Sequence, residues 1–316
     1  MLFSLIVPCY NEEGGVVPLF EAIHSTFGGQ DFDYEIVFVN DGSTDGTLRS
    51  LRQLAAENPG VARAISFSRN FGKESALLAG LKHAKGDILC FIDADLQHPP
   101  ETALEMLNKL RADEDLSCVC AIQTERSESR LTRLFKNGFY RLINALSDVN
   151  FVSGASDFRV FRRQIADALL SMTEYYRFSK GLFSWVGFKT EYYPYRATPR
   201  HSGETKWSFV GLLRYAIDGI FSFTAVPLRV AMFAGLVTSL LSVVYLLVVV
   251  VQKLFFSIDV PGYATIVTLI LFFGGAQLFF IGIVGEYLAR VFTQTKHRPP
   301  YIIQETINIQ AEGEEA

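Results

Sequence analysis

Apolar and polar positions along this chain fall into blocks that change period. Residues 4–7, 35–39, 62–67, 88–92 and 116–122 are short, mostly apolar runs that read as strands buried on both faces. Between them, residues 16–26, 47–57, 73–84 and 101–110 carry apolar side chains at helical spacing and predict helices. Strands alternating with helices imply an α/β fold, a mostly parallel sheet with helices on both faces. Further on, residues 130–146 predict a helix that sets Arg133, Lys136 and Arg141 beside Phe135, Phe139, Tyr140 and Leu142, the mark of a basic amphipathic face. Residues 162–171 predict another helix and 190–195 a strand.

The pattern then changes scale. From Trp207 to Phe223, aromatic and apolar residues alternate with Arg214 and Asp218 on a helical period, as in a helix lying in a membrane interface. Residues 230–252 and 260–285 contain no charge. At 1.5 Å per residue each exceeds the roughly 30 Å hydrocarbon core, so two transmembrane helices are predicted, at about 230–252 and 262–287. Arg229 precedes the pair and Arg290, Lys296 and Arg298 follow it, while the connection holds only Lys253 and Asp259. Both ends of a multi-pass protein are therefore expected in the cytoplasm, at the inner face of the cell membrane. The opening residues lack the basic region and long apolar core of a secretory signal, which agrees. Gly274, Gly275, Gly282 and Gly285 would permit close helix packing, and a homo-oligomer is expected. The predicted organisation is a catalytic domain over 1–205, an interfacial region over 206–228, a hairpin over 229–292 and a cytoplasmic tail over 293–316. Residues 301–309 could add a strand between subunits, and the residues after Thr306 end acidic and read as mobile.

Composition sharpens this only slightly. Of the 316 residues 49% are hydrophobic, and the excess is concentrated in the predicted hairpin. A formal net charge of −4 gives no whole-chain case for nucleic-acid binding. Cys9, Cys90, Cys118 and Cys120 sit in or beside predicted strands without the paired spacing of a zinc site, and read as buried small apolar residues.

Chemistry enters where strands stop. The run ending at Ile92 meets Asp93 and Asp95, which in extended chain share a face about 6–7 Å apart, with Gln97 beyond. Oxygen-only ligands favour Mg2+ or Mn2+, and such ions commonly join one or two carboxylates to substrate phosphates. Taken alone the triplet also fits a solvated turn. In open α/β sheets, however, ligands bind outside the carboxyl ends of strands, and Tyr10, Asn11, Glu12 and Asp41 fall at two more such ends. There is no Gly-x-Gly-x-x-Gly after the first strand and no Gly-rich loop ending in Lys-Ser or Lys-Thr, which argues against nicotinamide dinucleotides and ATPase chemistry.

The segments Leu5-Ile-Val-Pro-Cys-Tyr-Asn-Glu-Glu13, Val39-Asn-Asp-Gly-Ser-Thr-Asp-Gly46, Arg69-Asn-Phe-Gly-Lys73 and Asp93-Ala-Asp-Leu-Gln-His-Pro99 together closely resemble family 2 glycosyltransferases. The match is best to the branch that loads a sugar onto a polyprenyl phosphate, the dolichol-phosphate mannose synthases and bactoprenol glucosyltransferases. That resemblance implies a Rossmann-like, A-type nucleotide-diphospho-sugar transferase domain. It further implies that Pro8, Tyr10, Glu12, Val39 and Asp41 surround base and ribose, that Lys73, Asp93 and Ala94 extend the nucleotide pocket, and that Asp93, Asp95 and Gln97 serve the metal. The residue types agree: an aromatic can stack on a base, a carboxylate can accept from it, and a lysine can neutralise phosphate.

Asp157, in the small-residue stretch Ser153-Gly-Ala-Ser-Asp157, is read as lying in a turn, and the resemblance makes it the catalytic base. A phosphomonoester acceptor has a second pKa near 6 and needs little deprotonation, so Asp157 could instead orient a cation that holds the acceptor. Arg126, Arg200 and Lys206 are the candidates for binding the acceptor phosphate, and arginine suits such oxygens through its paired hydrogen bonds. The reaction that the resemblance implies is inverting transfer of a hexose, foremost glucose from UDP-glucose, to undecaprenyl or another polyprenyl phosphate. Transfer from GDP-mannose or another donor is the alternative. A processive polysaccharide synthase fits less well because two helices cannot enclose a polymer channel. A non-catalytic sugar-nucleotide sensor or exporter subunit predicts loss of carboxylates that are present here.

Overall fold

A computed structural model describes residues 1–123, 144, 152, 154–196, 224, 226–256 and 262–309. These separate into two units, one from 1–219 with 298–316 and the other from 220–297.

The first unit alternates strands and helices: β1 (Leu2–Cys9), α1 (Val16–Phe27), β2 (Asp33–Asn40), α2 (Thr47–Glu57), β3 (Ala62–Phe67), α3 (Lys73–His83), β4 (Ile88–Phe91) and α4 (Pro100–Ala112). It continues with β5 (Cys118–Gln123), β6 (Ala155–Arg162), α5 (Arg163–Ser171), α6 (Ser179–Trp185), β7 (Thr190–Tyr195) and, after the second unit, β8 (Ile303–Ile307). One eight-stranded sheet results, in the order β7-β5-β6-β4-β1-β2-β3-β8. The block β4-β1-β2-β3 is parallel, as the alternation predicts. The strand β6 runs against both β4 and β5, and β8 runs against β3, so the sheet is mixed though mostly parallel.

The apolar strand cores explain the layering. Phe3, Leu5 and Val7 join the cluster formed with Val16, Leu19 and Ile23 of α1, Leu51 and Leu54 of α2, and Met106 and Leu107 of α4. The other face is covered by α3, which lies on β1 and β2, and by α5 and α6, which lie on β6. With both faces buried, continuous apolar strands are what the sheet demands. All four cysteines are buried and unpaired within it. At the end remote from the strand carboxyl termini, Glu35 pairs with Arg63 at 2.5 Å, accepts from Ser4 Oγ at 2.6 Å and from the Lys85 amide at 2.6 Å. A buried charge so fully partnered fixes the register of β1, β2 and β3.

Two sequence expectations change here. Asp157 lies within β6, because its stretch continues the ladder opposite β5 instead of turning. The strand foreseen within 301–309 forms over 303–307 as an edge strand on β3 of the same chain, where β3 offers an open edge, and residues 310–316 of the acidic tail lie outside the described residues.

In the second unit, α7 (Val226–Phe256) and α8 (Tyr263–Thr295) are long and apolar enough to cross a membrane. Leu240, Leu278 and Phe279 are exposed, which for apolar side chains suits lipid. Among the described residues nothing lies within 4 Å of a Cβ added at Gly274, Gly275, Gly282 or Gly285. Among the described residues these glycines therefore mediate no close helix contact.

Candidate active site

The register Pro8↔Val39 and Cys9↔Asn40 ends β1 and β2 together, and the Asp41 amide donates to Cys9 O at 2.9 Å. Tyr10 and Asp41 therefore leave the sheet side by side. The two following loops are stitched to each other: the Asn11 amide donates to Ser43 Oγ at 3.0 Å, the Thr44 amide to Asn11 Oδ1 at 2.9 Å, and the Glu12 amide to Thr47 Oγ1 at 2.9 Å. Asn11 holds φ 54°, a left-handed conformation that Asn tolerates. Tyr10 is exposed at the rim, with Pro8 and Glu12 half-buried beside it.

Asp41 points inward. Its Oδ1 accepts from the Phe71 amide at 2.6 Å and its Oδ2 from the Gly72 amide at 2.9 Å, so this carboxylate shapes the 69–73 turn. Burial raises its pKa against those bonds and the nearby Arg69. Gly42, at φ 61°, makes the approach possible: a Cβ there would lie 2.2 Å from the Arg69 carbonyl carbon.

That turn delivers Lys73, the first residue of α3, to two carboxylates. Lys73 Nζ lies 2.6 Å from Asp93 Oδ1 and 3.3 Å from Asp157 Oδ2. The residues arrive from three elements, the start of α3, the loop after β4, and β6, which is antiparallel to β4. Burial works against ionisation of both carboxylates, but Lys73 outweighs it, helped at Asp157 by Lys180 and Arg159, and holds both below the ordinary range. Burial likewise opposes the Lys73 charge, yet Asp93 and Asp157 push its pKa up.

Beyond Asp93 the chain makes a tight loop. The Gln97 amide donates to Asp95 Oδ1 at 3.1 Å across Leu96, which holds φ 59°. Ala94 is buried, its carbonyl 2.7 Å from where a Cβ at Gly15 would sit, so α1 and this loop abut. Asp93, Asp95 and Gln97 thus share one short loop with oxygen donors only. Among the described residues no three His, Cys, Asp or Glu side chains converge to hold an ion unaided. That donor set fits a Mg2+- or Mn2+-type ion whose remaining ligands are substrate phosphates and water, and it does not fit an all-protein cage.

Val39 is fully buried near the end of β2, two residues before Asp41. Arg126, Arg200 and Lys206 lie outside the described residues, as does most of the predicted 130–146 helix and of the 206–228 region.

Three residues went unassigned in the sequence. His98, in the quoted Asp93–Pro99 motif, accepts from the Asp93 amide at Nδ1 (3.3 Å) and lies 3.5 Å from Ser156 Oγ at Nε2, its ring stacked 4.7 Å from Phe158. Burial lowers its pKa against the pull of Asp93, so a neutral ring links the metal-side loop to the strand of Asp157. Glu74, beside Lys73, accepts from the Ser179 amide at 3.0 Å and from its hydroxyl, and so ties α3 to α6. Arg159 is buried with its guanidinium carbon 4.1 Å from the Phe183 ring centroid. The motif could have flagged His98; Glu74 and Arg159 carry no local signal.

The Glycosyl transferase family 2 profile matches residues 4–170, and the GtrB C-terminal hairpin profile matches residues 226–291. A protein of Bacillus subtilis (strain 168) that bears the name "Putative glycosyltransferase CsbB" is 42% identical over 96% of this chain and 92% of its own. The bactoprenol glucosyl transferase of Shigella phage SfV is 38% identical over 96% of this chain and 98% of its own. A mannosyltransferase from Pyrobaculum calidifontis, solved with GDP-Man and Mn2+, superposes with a TM-score of 0.46 over 90% of this chain and 86% of that one, at 18% identity. With its strand-end carboxylates inside the matched region and relatives covering nearly its full length, the chain belongs to glycosyl transferase family 2.

Proposed function

We propose that this glycosyltransferase moves glucose from UDP-glucose to a polyprenyl phosphate at the cytoplasmic face of the membrane, with inversion and without a covalent sugar–enzyme intermediate. The observation that carries the reading is the convergence of Asp93 and Asp157 on Lys73 Nζ, at 2.6 and 3.3 Å, next to the Asp95–Gln97 loop. The lipid acceptor is supported by the bactoprenol glucosyl transferase likeness, which extends through the hairpin. Charge asymmetry around α7 and α8 supports cytoplasmic termini.

In this reading Tyr10 stacks on the base at the rim, with Pro8, Glu12 and Ala94 around the nucleoside. Asp93, Asp95 and Gln97 hold a divalent cation, which when bound stabilises the departing diphosphate electrostatically. Lys73 presents a charged ammonium to phosphate oxygens. Asp157, ionised and beside Lys73, sets the direction of that ammonium, and deprotonating a largely dianionic acceptor asks little more of it. Arg126, Arg200 and Lys206 complete the acceptor side.

The test is transfer of label from a panel of uridine and guanosine diphosphate sugars into organic-extractable lipid, with purified protein, undecaprenyl phosphate and Mg2+ or Mn2+. Labelling from UDP-glucose alone, abolished by chelator and strongly reduced in Asp157→Asn, is expected. Labelling from GDP-mannose instead would replace the donor, and no labelling from any donor would sink the synthase reading.

A further inference from the structure

The strand β8 does more than cover a sheet edge. Edge cover needs only its ladder with β3, Ala64↔Ile307 to Phe67↔Ile303. The residues just before it continue past the ladder, toward the strand ends where the nucleotide residues lie. Tyr301 stacks on Phe67 with ring centroids 4.9 Å apart and planes at 12°, and Phe67 in turn meets Phe71 edge-on at 5.8 Å. The Ser68 amide donates to Ile302 O at 3.0 Å. Ser75 Oγ contacts Pro300 O at 3.1 Å and Phe71 O at 3.2 Å. The segment 68–75 is therefore held from one side by Asp41, through the Phe71 and Gly72 amides, and from the other by residues 300–302.

We infer that residues 300–302 are a positioning element of the nucleotide site, with Tyr301 setting the Phe71–Gly72–Lys73 turn against Asp41. The inference rests on reading that turn as a wall of the donor pocket. In sequence this element follows α8, so the chain leaving the second long helix returns to complete the donor site. The far end of β8 is anchored separately: Arg52 Nη2 lies 2.6 Å from Glu305 Oε2, and Asn308 Nδ2 donates to Ala55 O at 2.7 Å and Ala62 O at 2.9 Å. Loss of the Tyr301 ring thus leaves the strand attached, which separates positioning from edge cover.

The experiment is calorimetric titration of the full chain in detergent with UDP and with GDP, each with Mn2+, for wild type, Tyr301→Ala, Tyr301→Phe and Arg52→Ala. Tyr301→Ala should weaken nucleotide binding roughly 3- to 10-fold, the worth of a lost ring stack. Tyr301→Phe and Arg52→Ala should bind as wild type, and the KM for polyprenyl phosphate should not move in any variant. Tyr301→Ala that binds nucleotide as wild type does, even with a lowered melting temperature, would overturn the inference alone. Wild type that binds neither nucleotide would overturn the donor reading and the inference with it. If Tyr301→Ala does not fold, Tyr301→Leu, which keeps apolar bulk and removes the stack, takes its place under the same criteria.

Discussion

Lys73 Nζ lies 3.3 Å from Asp157 Oδ2, and the two residues come from opposite halves of the catalytic unit. Asp157 faces a cation, and Lys73 is shared with Asp93 at 2.6 Å. Removing Lys73 leaves two carboxylates without their shared cation, and removing Asp157 leaves Lys73 paired with Asp93. Lys73→Met and Asp157→Asn should each lower glycosyl transfer strongly, and the double variant should lose less than the sum of the two, because residues in one ion network do not act independently. A double-mutant cycle on single-turnover rates reads the coupling, and strict additivity would separate the roles of the two residues.

In the proposed reading Asp95 is a ligand of the divalent cation, on a short loop where its Oδ1 also accepts from the Gln97 amide at 3.1 Å. Chelation should abolish transfer, and Asp95→Asn should lower it roughly 10²–10³-fold, on the scale of losing a key electrostatic contact. Mn2+ should then no longer strengthen UDP binding. Unchanged Mn2+ dependence of UDP binding in Asp95→Asn would move the ligand elsewhere.

Glu74 gives the pH dependence. Burial, reinforced by Asp157, raises its pKa above the ordinary 4.5 despite its bonds from Ser179. The protonated acid is thus favoured in the fold. The native state binds more protons than the unfolded chain from pH 4.5 up to the raised value, and stability falls as pH rises through that window. Glu74→Gln removes this dependence. Its melting temperature relative to wild type should therefore be more favourable at about pH 7.5 than at about pH 4.5, and a difference that does not change with pH would contradict the assignment.

Gly42 is the backbone counterpart. At φ 61°, with an added Cβ only 2.2 Å from the Arg69 carbonyl carbon, Gly42→Ala must displace the 69–73 turn. The expected cost is roughly 1–3 kcal/mol of stability, that of a strained left-handed residue. UDP affinity should fall alongside it, whereas intact affinity in thermal and calorimetric titrations would detach this turn from the donor site.

Much of the fold was legible because the signals were local. Each strand of the parallel block is an uninterrupted apolar run, each helix shows its own period, and both long apolar helices announce themselves by length. The strand ends likewise pointed to Asp41, Asp93 and Asp95. What sequence could not reveal was tertiary. Asp41 turns inward to the Phe71 and Gly72 amides, Val39 is swallowed by the sheet, and Asp157 belongs to a strand whose pairing with β4 and β5 depends on residues distant in the chain. The strand β8 is short and polar on alternate positions, so its place on β3 is set by an available edge and by Tyr301, Glu305 and Asn308 finding partners.

His98 joins the two sides of the site, and its two nitrogens can be tested apart. Nδ1 accepts from the Asp93 amide at 3.3 Å, which leaves the proton on Nε2, 3.5 Å from Ser156 Oγ. Asparagine at this position can reproduce the first contact and glutamine the second, while phenylalanine keeps only the stack on Phe158. His98→Asn should therefore retain Mn2+ affinity and lower kcat, because the Ser156 tie that steadies the start of β6 near Asp157 is lost. His98→Gln should weaken Mn2+ binding more than it lowers kcat, and His98→Phe should do both. Each effect should be roughly 3- to 10-fold, the net worth of one hydrogen bond at about 0.5–1.5 kcal/mol. Mn2+ titration by paramagnetic resonance, paired with single-turnover rates, separates the two contacts. Identical behaviour of all three variants would reduce His98 to a packing residue between the Asp93–Gln97 loop and β6.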